Sequence, residues 1–511
     1  MRFKKCLTII IASMSLIALC ENLSVTSVMA SEVKDNNSTG EYSIDFDQNN
    51  YTTKTLTVNN KTITYRAYEK IVYVKNPVDT NYEIMNFYVP EEYYEGKAIE
   101  NFNAQNAPIF FPNSVGGYMP GAPGSPGADP MSGDGSVNAA AIALSKGYVV
   151  AEPGARGRTT QNESGTYTGK APACIVDLKA AVRYLRYNDK IMPGDAEKII
   201  SNGTSAGGAL SALLGATGNN KDYEPYLKEI GAADEHDDIF AVSSYCPITN
   251  LDNADMAYEW LFNGVNDYKR LELTKDTDYK MKRTYVEGTM TEDQIELSNK
   301  LAAEFSEYIK GLKLKDVNGD KLGLDENGNG SFKDYVKSFV IDSAQKALES
   351  GKDLLSFTWV TIENGKVKDI DFDEYVKYVG RMKVAPAFDG IDLSNDINSL
   401  FGTSTANLQH FTKFGMKNNT TSGATMADPK IVKMMNPMNY IGKGGVTTTK
   451  NWRIRAGSKD ADTSLAISVI LATRLENRGC NVDYAVPWEQ GHGGDYDLDQ
   501  LFTWMDKVSN Q

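Results

Sequence analysis

The sequence predicts an α/β fold, with a mostly parallel central sheet flanked by helices and a large segment inserted into it. Three observations carry that expectation. Short continuous apolar runs, such as Pro108-Ile-Phe-Phe111 and Tyr148-Val-Val-Ala151, alternate with helix-spaced stretches, as buried parallel strands and their crossovers do. The rhythm is lost from about Leu251 to Gly445 and then resumes, so sheet-like segments stand on both sides of the break. Finally, Lys198-Ile-Ile-Ser201 runs through Asn202-Gly-Thr-Ser-Ala-Gly-Gly208 into the small-residue stretch Ala209-Leu-Ser-Ala-Leu-Leu214. That is a strand, a tight G-x-S-x-G turn and a helix.

Taken in order, residues 1–30 read as an export signal. Arg2, Lys4 and Lys5 form a basic start, Leu7 to Leu19 is mostly apolar but short for a membrane span, and Val28-Met-Ala30 offers small residues for cleavage. This predicts a secreted protein. Cys20 could carry a lipid, but Leu19 before it is larger than such sites usually allow. The rest of the 511 residues exceeds one ordinary core, so a main domain plus an insertion is expected. A net charge of −14 argues against nucleic acid or an anionic membrane as partner. After signal cleavage Cys174, Cys246 and Cys480 remain, an odd, widely spaced set without CxxC, so neither a disulfide framework nor a zinc site follows.

Residues 31–50 are polar and read as a flexible lead-in. The core is expected at 51–250 and 446–511. It opens with β-rich runs at 55–58, 62–68, 71–74 and 83–89 separated by turn residues, an antiparallel start to the sheet. After Pro108–Phe111 come a helix over 139–145, the strand at 148–151, and a helix over 172–187 with Ile175, Leu178, Val182 and Leu185 at helical spacing. Ile239 to Ser243 is the next strand. Late in the chain, Arg453–Arg455 and Val482–Val486 read as strands, with helices over 464–478 and 498–508. Residues 251–445 hold charged helical segments and Asn/Gly-rich turns with no clear strand series, and read as an inserted lid.

A serine nucleophile needs a base, and the base needs a carboxylate to orient it. The three histidines make the choice of base narrow. His236 lies in the charged stretch Asp234-Glu-His-Asp-Asp238, a surface setting, and His410 belongs to the insertion. His492, in Gln490-Gly-His-Gly-Gly494, sits in a flexible loop just after a strand. Asp460 follows the preceding strand, so Ser205, Asp460 and His492 fall in the order of an α/β-hydrolase triad. Asp462 is its rival, and spacing alone does not separate the two. For an oxyanion hole, one N–H should come from Ala206. The other should come from the loop Pro112-Asn-Ser-Val-Gly-Gly-Tyr118, where Gly116 and Gly117 permit close approach.

With Asn113-Ser-Val-Gly-Gly-Tyr-Met119, Gly203-Thr-Ser-Ala-Gly-Gly208, Lys459-Asp-Ala-Asp-Thr-Ser-Leu-Ala466 and Gly491-His-Gly-Gly-Asp-Tyr-Asp-Leu-Asp499, the chain resembles the bacterial tannases, α/β-hydrolases related to feruloyl esterases. The likeness reaches into the lid at Arg381-Met-Lys-Val-Ala-Pro-Ala-Phe388. It implies Asp460 as the triad member, and Asp462 and Lys383 as groups that hold phenolic hydroxyls of a galloyl acid. It also implies a lid glutamate ahead of Leu400-Phe-Gly402. Ile397 falls there, with Asp396 beside it, and a one-residue slip would restore a carboxylate. The implied activity is hydrolysis of small aromatic esters through an acyl-enzyme. A feruloyl or other cell-wall esterase is the alternative, and a non-catalytic binding protein on this scaffold is a further one. No cofactor is expected. Asp325, Asn327 and Asn329 in Asp325-Glu-Asn-Gly-Asn-Gly330 resemble the start of a calcium loop, yet position twelve is Val336, so a solvated turn is the better reading.

Overall fold

The computed structural model describes residues 40–129, 136–275 and 281–510. The first part of the core supplies β1 (Thr52–Val58), β2 (Lys61–Val72), β3 (Ile84–Pro90), β4 (Pro108–Pro112), α1 (Ala139–Ser145), β5 (Val149–Pro153), α2 (Ala173–Tyr187), β6 (Asp195–Thr204), α3 (Ala206–Ala216), α4 (Glu224–Glu229) and β7 (Ala241–Tyr245). The inserted part holds α5 (Leu251–Phe262), β8 (Asp267–Lys275), β9 (Met281–Thr289), α6 (Glu292–Leu312), α7 (Ser331–Glu349), β10 (Val360–Glu363), β11 (Lys366–Ile370), α8 (Phe372–Val379), α9 (Asp396–Leu400), α10 (Lys413–Lys417) and α11 (Pro429–Met434). The chain closes with β12 (Asn451–Arg455), α12 (Leu465–Glu476), β13 (Asn481–Ala485) and α13 (Leu498–Ser509).

One nine-stranded sheet runs in the order β1-β2-β3-β5-β4-β6-β7-β12-β13. The strands β1, β2 and β3 pair antiparallel, and β3 meets β5 antiparallel. From β5 to β13 every pairing is parallel. The expected mostly parallel sheet with an antiparallel start is therefore present. Its strands are apolar because both faces are covered: β5 and β7 are buried at every position. In α3 all residues are buried too, and its Ala and Gly content lets it lie close against β6 and β7. All six parallel strands end at one edge, where α/β sheets carry their functional loops.

Two expectations need correction. In the described part of the lead-in proposed for residues 31–50, Ile44 and Phe46 are buried and Phe46 packs on Tyr68 and Phe87 at 4.8 and 5.9 Å, so that part is not loose. A two-residue alternation inside a polar stretch is too short to register as a pattern. The insertion also has strands, the antiparallel pairs β8–β9 and β10–β11. In the second pair Val360 and Ile362 are half-buried against exposed Thr361 and Glu363, but four- and five-residue strands are too short for that alternation to stand out. The insertion packs on the core through α12, which meets both α5 and α7. The expected signal at 1–30, with Cys20, lies outside the described residues. Among those described, no helix is long and apolar enough to cross a membrane.

Candidate active site

The turn from β6 into α3 holds Ser205 at φ 61° and ψ −121°, a left-handed conformation that a residue with a Cβ rarely adopts. Three backbone bonds fix it: the Ser205 N–H donates to Tyr245 O at 2.9 Å, and Ser205 O accepts from Ala209 and Ile248 at 3.0 and 3.2 Å. The flanking glycines are sterically required. A Cβ on Gly203 would stand 2.4 Å from Gly207 O, and one on Gly207 would stand 2.7 Å from Asn113 Oδ1. Ala206 opens α3, so its N–H belongs to the helix end that no earlier turn satisfies.

The loops after β12 and β13 meet at the same edge. His492 Nδ1 lies 2.9 Å from Asp460 Oδ2, while Asp460 Oδ1 accepts from the Asp462 N–H at 2.8 Å. The loops are laced by Lys459 N–H to Gln490 O at 2.9 Å, Ser458 N–H to Pro487 O at 3.0 Å, and Glu489 N–H to Ser458 Oγ at 2.8 Å. The histidine loop also presses on β6: a Cβ on Gly494 would stand 1.8 Å from Thr204 Oγ1, and Asn202 Nδ2 donates to Asp495 at 3.1 Å. His492 Nε2 is buried and makes no hydrogen bond among the described residues. Burial disfavours the imidazolium, but the charge and hydrogen bond of Asp460, with smaller help from Cys246 and Asp462, outweigh it and raise the His492 pKa.

Geometry separates the two aspartates. Asp462 Oδ1 is 4.0 Å from His492 Nε2, on the opposite side of the ring from Asp460, and pairs with Lys383 Nζ at 3.0 Å. Burial would raise the Asp462 pKa, but Lys383 and His492 hold it below the usual carboxylate range. Lys383 in turn is anchored by Tyr258, whose hydroxyl accepts from the N–H groups of Met382 and Lys383 at 3.0 and 3.1 Å and donates to Ala461 O at 2.9 Å. One tyrosine thus ties the insertion to the aspartate loop.

The glycine loop after β4 is fixed from both ends. Asn113 Nδ2 donates to Gly207 O at 3.1 Å and Ser211 Oγ at 3.2 Å. Gly116 and Gly117 are exposed, and Gly117 takes a φ of +55°. Arg158 Nε donates to Gly117 O at 2.8 Å, while its Nη1 donates to Ser399 Oγ at 2.8 Å and its Nη2 pairs with Asp396 Oδ2 at 3.1 Å. The Asp396 side chain is 79% exposed, whereas Ile397 is 8% exposed and packs into the core. Of the two positions weighed ahead of Leu400-Phe-Gly402, Asp396 therefore presents the carboxylate and Ile397 serves packing.

The other candidates stand apart. His236 bonds Arg186 and Asp238 on the surface, and His410 is buried between Asp389 and Asn419 at 2.7 and 3.0 Å. Asp325 Oδ1 accepts from the N–H groups of Asn327 and Asn329, both at 2.9 Å, and Val336 is buried. Sequence reasoning missed Arg158, Tyr258 and Cys246. Only Cys246 left a trace, as the first residue after β7 and so at a functional strand end.

A serine at a strained strand-to-helix turn, answered by an Asp–His pair from the ends of two later strands, is the architecture of an α/β-hydrolase. The comparisons agree. A family model described as BD-FAE matches residues 130–288. No curated protein sequence matches the chain. Among solved structures, a Fusobacterium nucleatum tannase is 55% identical, covering 92% of this chain and 100% of its own, with a TM-score of 0.88. A tannase from Lactobacillus plantarum is 43% identical over 91% of this chain and 100% of its own, with a TM-score of 0.88. A tannin acyl hydrolase in complex with ethyl gallate is 44% identical over 91% and 99%, with a TM-score of 0.84. The chain belongs to the tannase family and is a carboxylic ester hydrolase.

Proposed function

We propose that the chain hydrolyses esters of hydroxylated aromatic acids, galloyl esters foremost, through an acyl-enzyme on Ser205. The observation that carries this reading is the 2.9 Å His492–Asp460 pair beside the Ser205 turn, with Nε2 of the imidazole hydrogen-bonded to none of the described residues. The relative holding ethyl gallate supports the choice of acid.

Ser205 Oγ attacks the ester carbonyl and gives its proton to His492 Nε2, while Asp460 accepts from Nδ1–H and stabilises the imidazolium. The N–H of Ala206 and one from Gly116 or Gly117 receive the oxyanion. Collapse expels the alcohol, which takes the proton from His492. Water then enters, loses a proton to the same nitrogen and releases the acid. Lys383, Asp462 and Asp396 are the polar groups proposed to hold the ring hydroxyls, with Lys383 favouring the more anionic phenol. Every step is carried by protein groups and water. The pattern of residues 1–30 supports action outside the cell.

Hydrolysis of methyl gallate, methyl protocatechuate, methyl ferulate and a short acetate ester, measured side by side, tests the reading. The expected result is the highest kcat/KM on methyl gallate, lost in Ser205→Ala. Faster turnover of methyl ferulate would overturn the acid assignment, and full activity in Ser205→Ala would overturn the nucleophile.

A further inference from the structure

Cys246 has no part in that mechanism, yet it sits inside the site. It follows β7 directly, at a φ of 43°, and is buried. Its thiol lies under the histidine loop, with Sγ 3.3 Å from Gly493 O and 3.9 Å from Gly491 O. A serine hydroxyl could still donate to Gly493 O, so sulfur is not needed to satisfy that carbonyl.

What sulfur adds is a soft ligand beside two harder ones. Cys246 Sγ, an Asp460 carboxylate oxygen and a ring nitrogen of His492 all lie within 4.8 Å of one another. A tetrahedral zinc site with bonds of about 2.0–2.3 Å separates its donors by roughly 3.3–3.8 Å, so side-chain shifts of about an ångström close the set. Thiolate, imidazole and carboxylate together suit zinc and its heavier congener cadmium. The setting also favours a cation, because the second carboxylate of Asp462 stands 4.0 Å from His492 Nε2.

We propose that Cys246, Asp460 and His492 form an inhibitory site for a soft divalent cation of the zinc class. The metal binds one nitrogen of His492, one oxygen of Asp460 and the sulfur of Cys246; the thiol proton and any proton on the nitrogen it takes leave to solvent. No electron changes hands, and water completes the coordination. With the imidazole and its orienting carboxylate both on the metal, proton transfer from Ser205 stops. The binding half stands on geometry alone, and the inhibitory half rests on the proposed function.

The two halves are tested separately. For binding, the full chain carrying Ser205→Ala is titrated with cadmium, following the thiolate-to-cadmium charge-transfer absorbance together with equilibrium dialysis. One cadmium per chain with that absorbance is expected. Adding Cys246→Ser should abolish the absorbance and weaken binding by at least ~10-fold, since even losing a support behind a metal ligand costs that much. Cys246→Ala serves as a second substitution, with melting midpoints showing that both fold. Unchanged affinity and absorbance in both, or no binding to the parent, overturns the site. For inhibition, zinc should suppress ester hydrolysis reversibly to a chelator, and Cys246→Ser should raise the half-inhibiting concentration by the same factor, each variant read against its own metal-free rate. Equal zinc sensitivity overturns the inhibitory role. If the chain splits none of the esters, the proposed function fails while cadmium binding still decides the site.

Discussion

His492 is pulled in two directions, by burial away from its charged form and by Asp460 and Asp462 toward it, and the carboxylates win. A base must be neutral to accept the proton of Ser205, so the raised pKa displaces the rising limb of kcat/KM to higher pH than an ordinary histidine near ~6.5 would give. Its effect on stability has the opposite sign. A folded-state value above the unfolded one contributes stability that is full below about 6.5 and fades as pH climbs through the raised value. Asp460→Asn should lower kcat by ~10⁴-fold, by holding the ring in the tautomer whose Nε2 already carries a proton, without unfolding the protein. A steady-state pH profile beside a thermal melt checks both, and an acid-shifted rising limb would sink the assignment. Asp462→Asn makes a different demand. Its loss should cut kcat/KM on methyl gallate by ~10–100-fold, as for one hydrogen bond to a charged group, and leave methyl benzoate nearly unaffected. Equal losses on both esters would contradict a role in holding hydroxyls. The Ser205 turn and the His492–Asp460 pair were legible because each member follows a strand in a fixed order. Spacing did not separate Asp460 from Asp462, because two residues in one loop share it and differ only in where their carboxylates point; only the family resemblance told them apart.

Between residues and whole molecule, the informative unit is the pair formed by the glycine loop after β4 and the short helix α9. Arg158 spends its guanidinium on both, reaching Gly117 O on one side and Ser399 and Asp396 on the other. Gly117, whose N–H is a candidate oxyanion donor, is thereby coupled through its own carbonyl to the element that presents Asp396. Arg158→Ala frees that carbonyl and unpairs the carboxylate, and the expected result is a fall in kcat of ~10²-fold or more, the scale of losing one oxyanion donor. Arg158→Lys should recover little, since one ammonium cannot reproduce the fork that serves three acceptors. Near-normal kcat with a raised KM alone would show that Arg158 serves binding and not the loop. Nothing in the sequence announced this link, because Arg158 stands far from both elements it joins. The strands of the insertion were hidden for a different reason. In β10–β11 the apolar positions Val360, Ile362, Val367 and Ile370 sit in strands of only four and five residues, too short for a two-residue period to stand out.

For the whole molecule, the central question is how a segment inserted between β7 and β12 is held to the edge it serves. Part of the answer lies inside the insertion, where a buried ion pair fixes the elements that present Lys383 to that edge. Arg381 Nη2 and Glu259 Oε2 are in contact with both side chains fully shielded, Ser298 Oγ donates to the same carboxylate at 2.6 Å, and Arg381 Nη1 reaches Lys383 O at 3.1 Å. The pair therefore joins α5, α6 and the loop that carries Lys383. Such a pair is not a large source of net stability, since desolvation cancels much of its attraction, but breaking it strands a buried charge. Glu259→Gln should destabilise the fold by ~3–5 kcal/mol, seen as a lower melting midpoint. Because Arg381 also holds the Lys383 backbone, the same substitution should lower kcat/KM on methyl gallate more than on methyl benzoate. A lower midpoint with equal losses on both esters would reduce the pair to a structural brace. An unchanged midpoint would mean that α5, α6 and the Lys383 loop are held together by their other contacts without help from this charge pair.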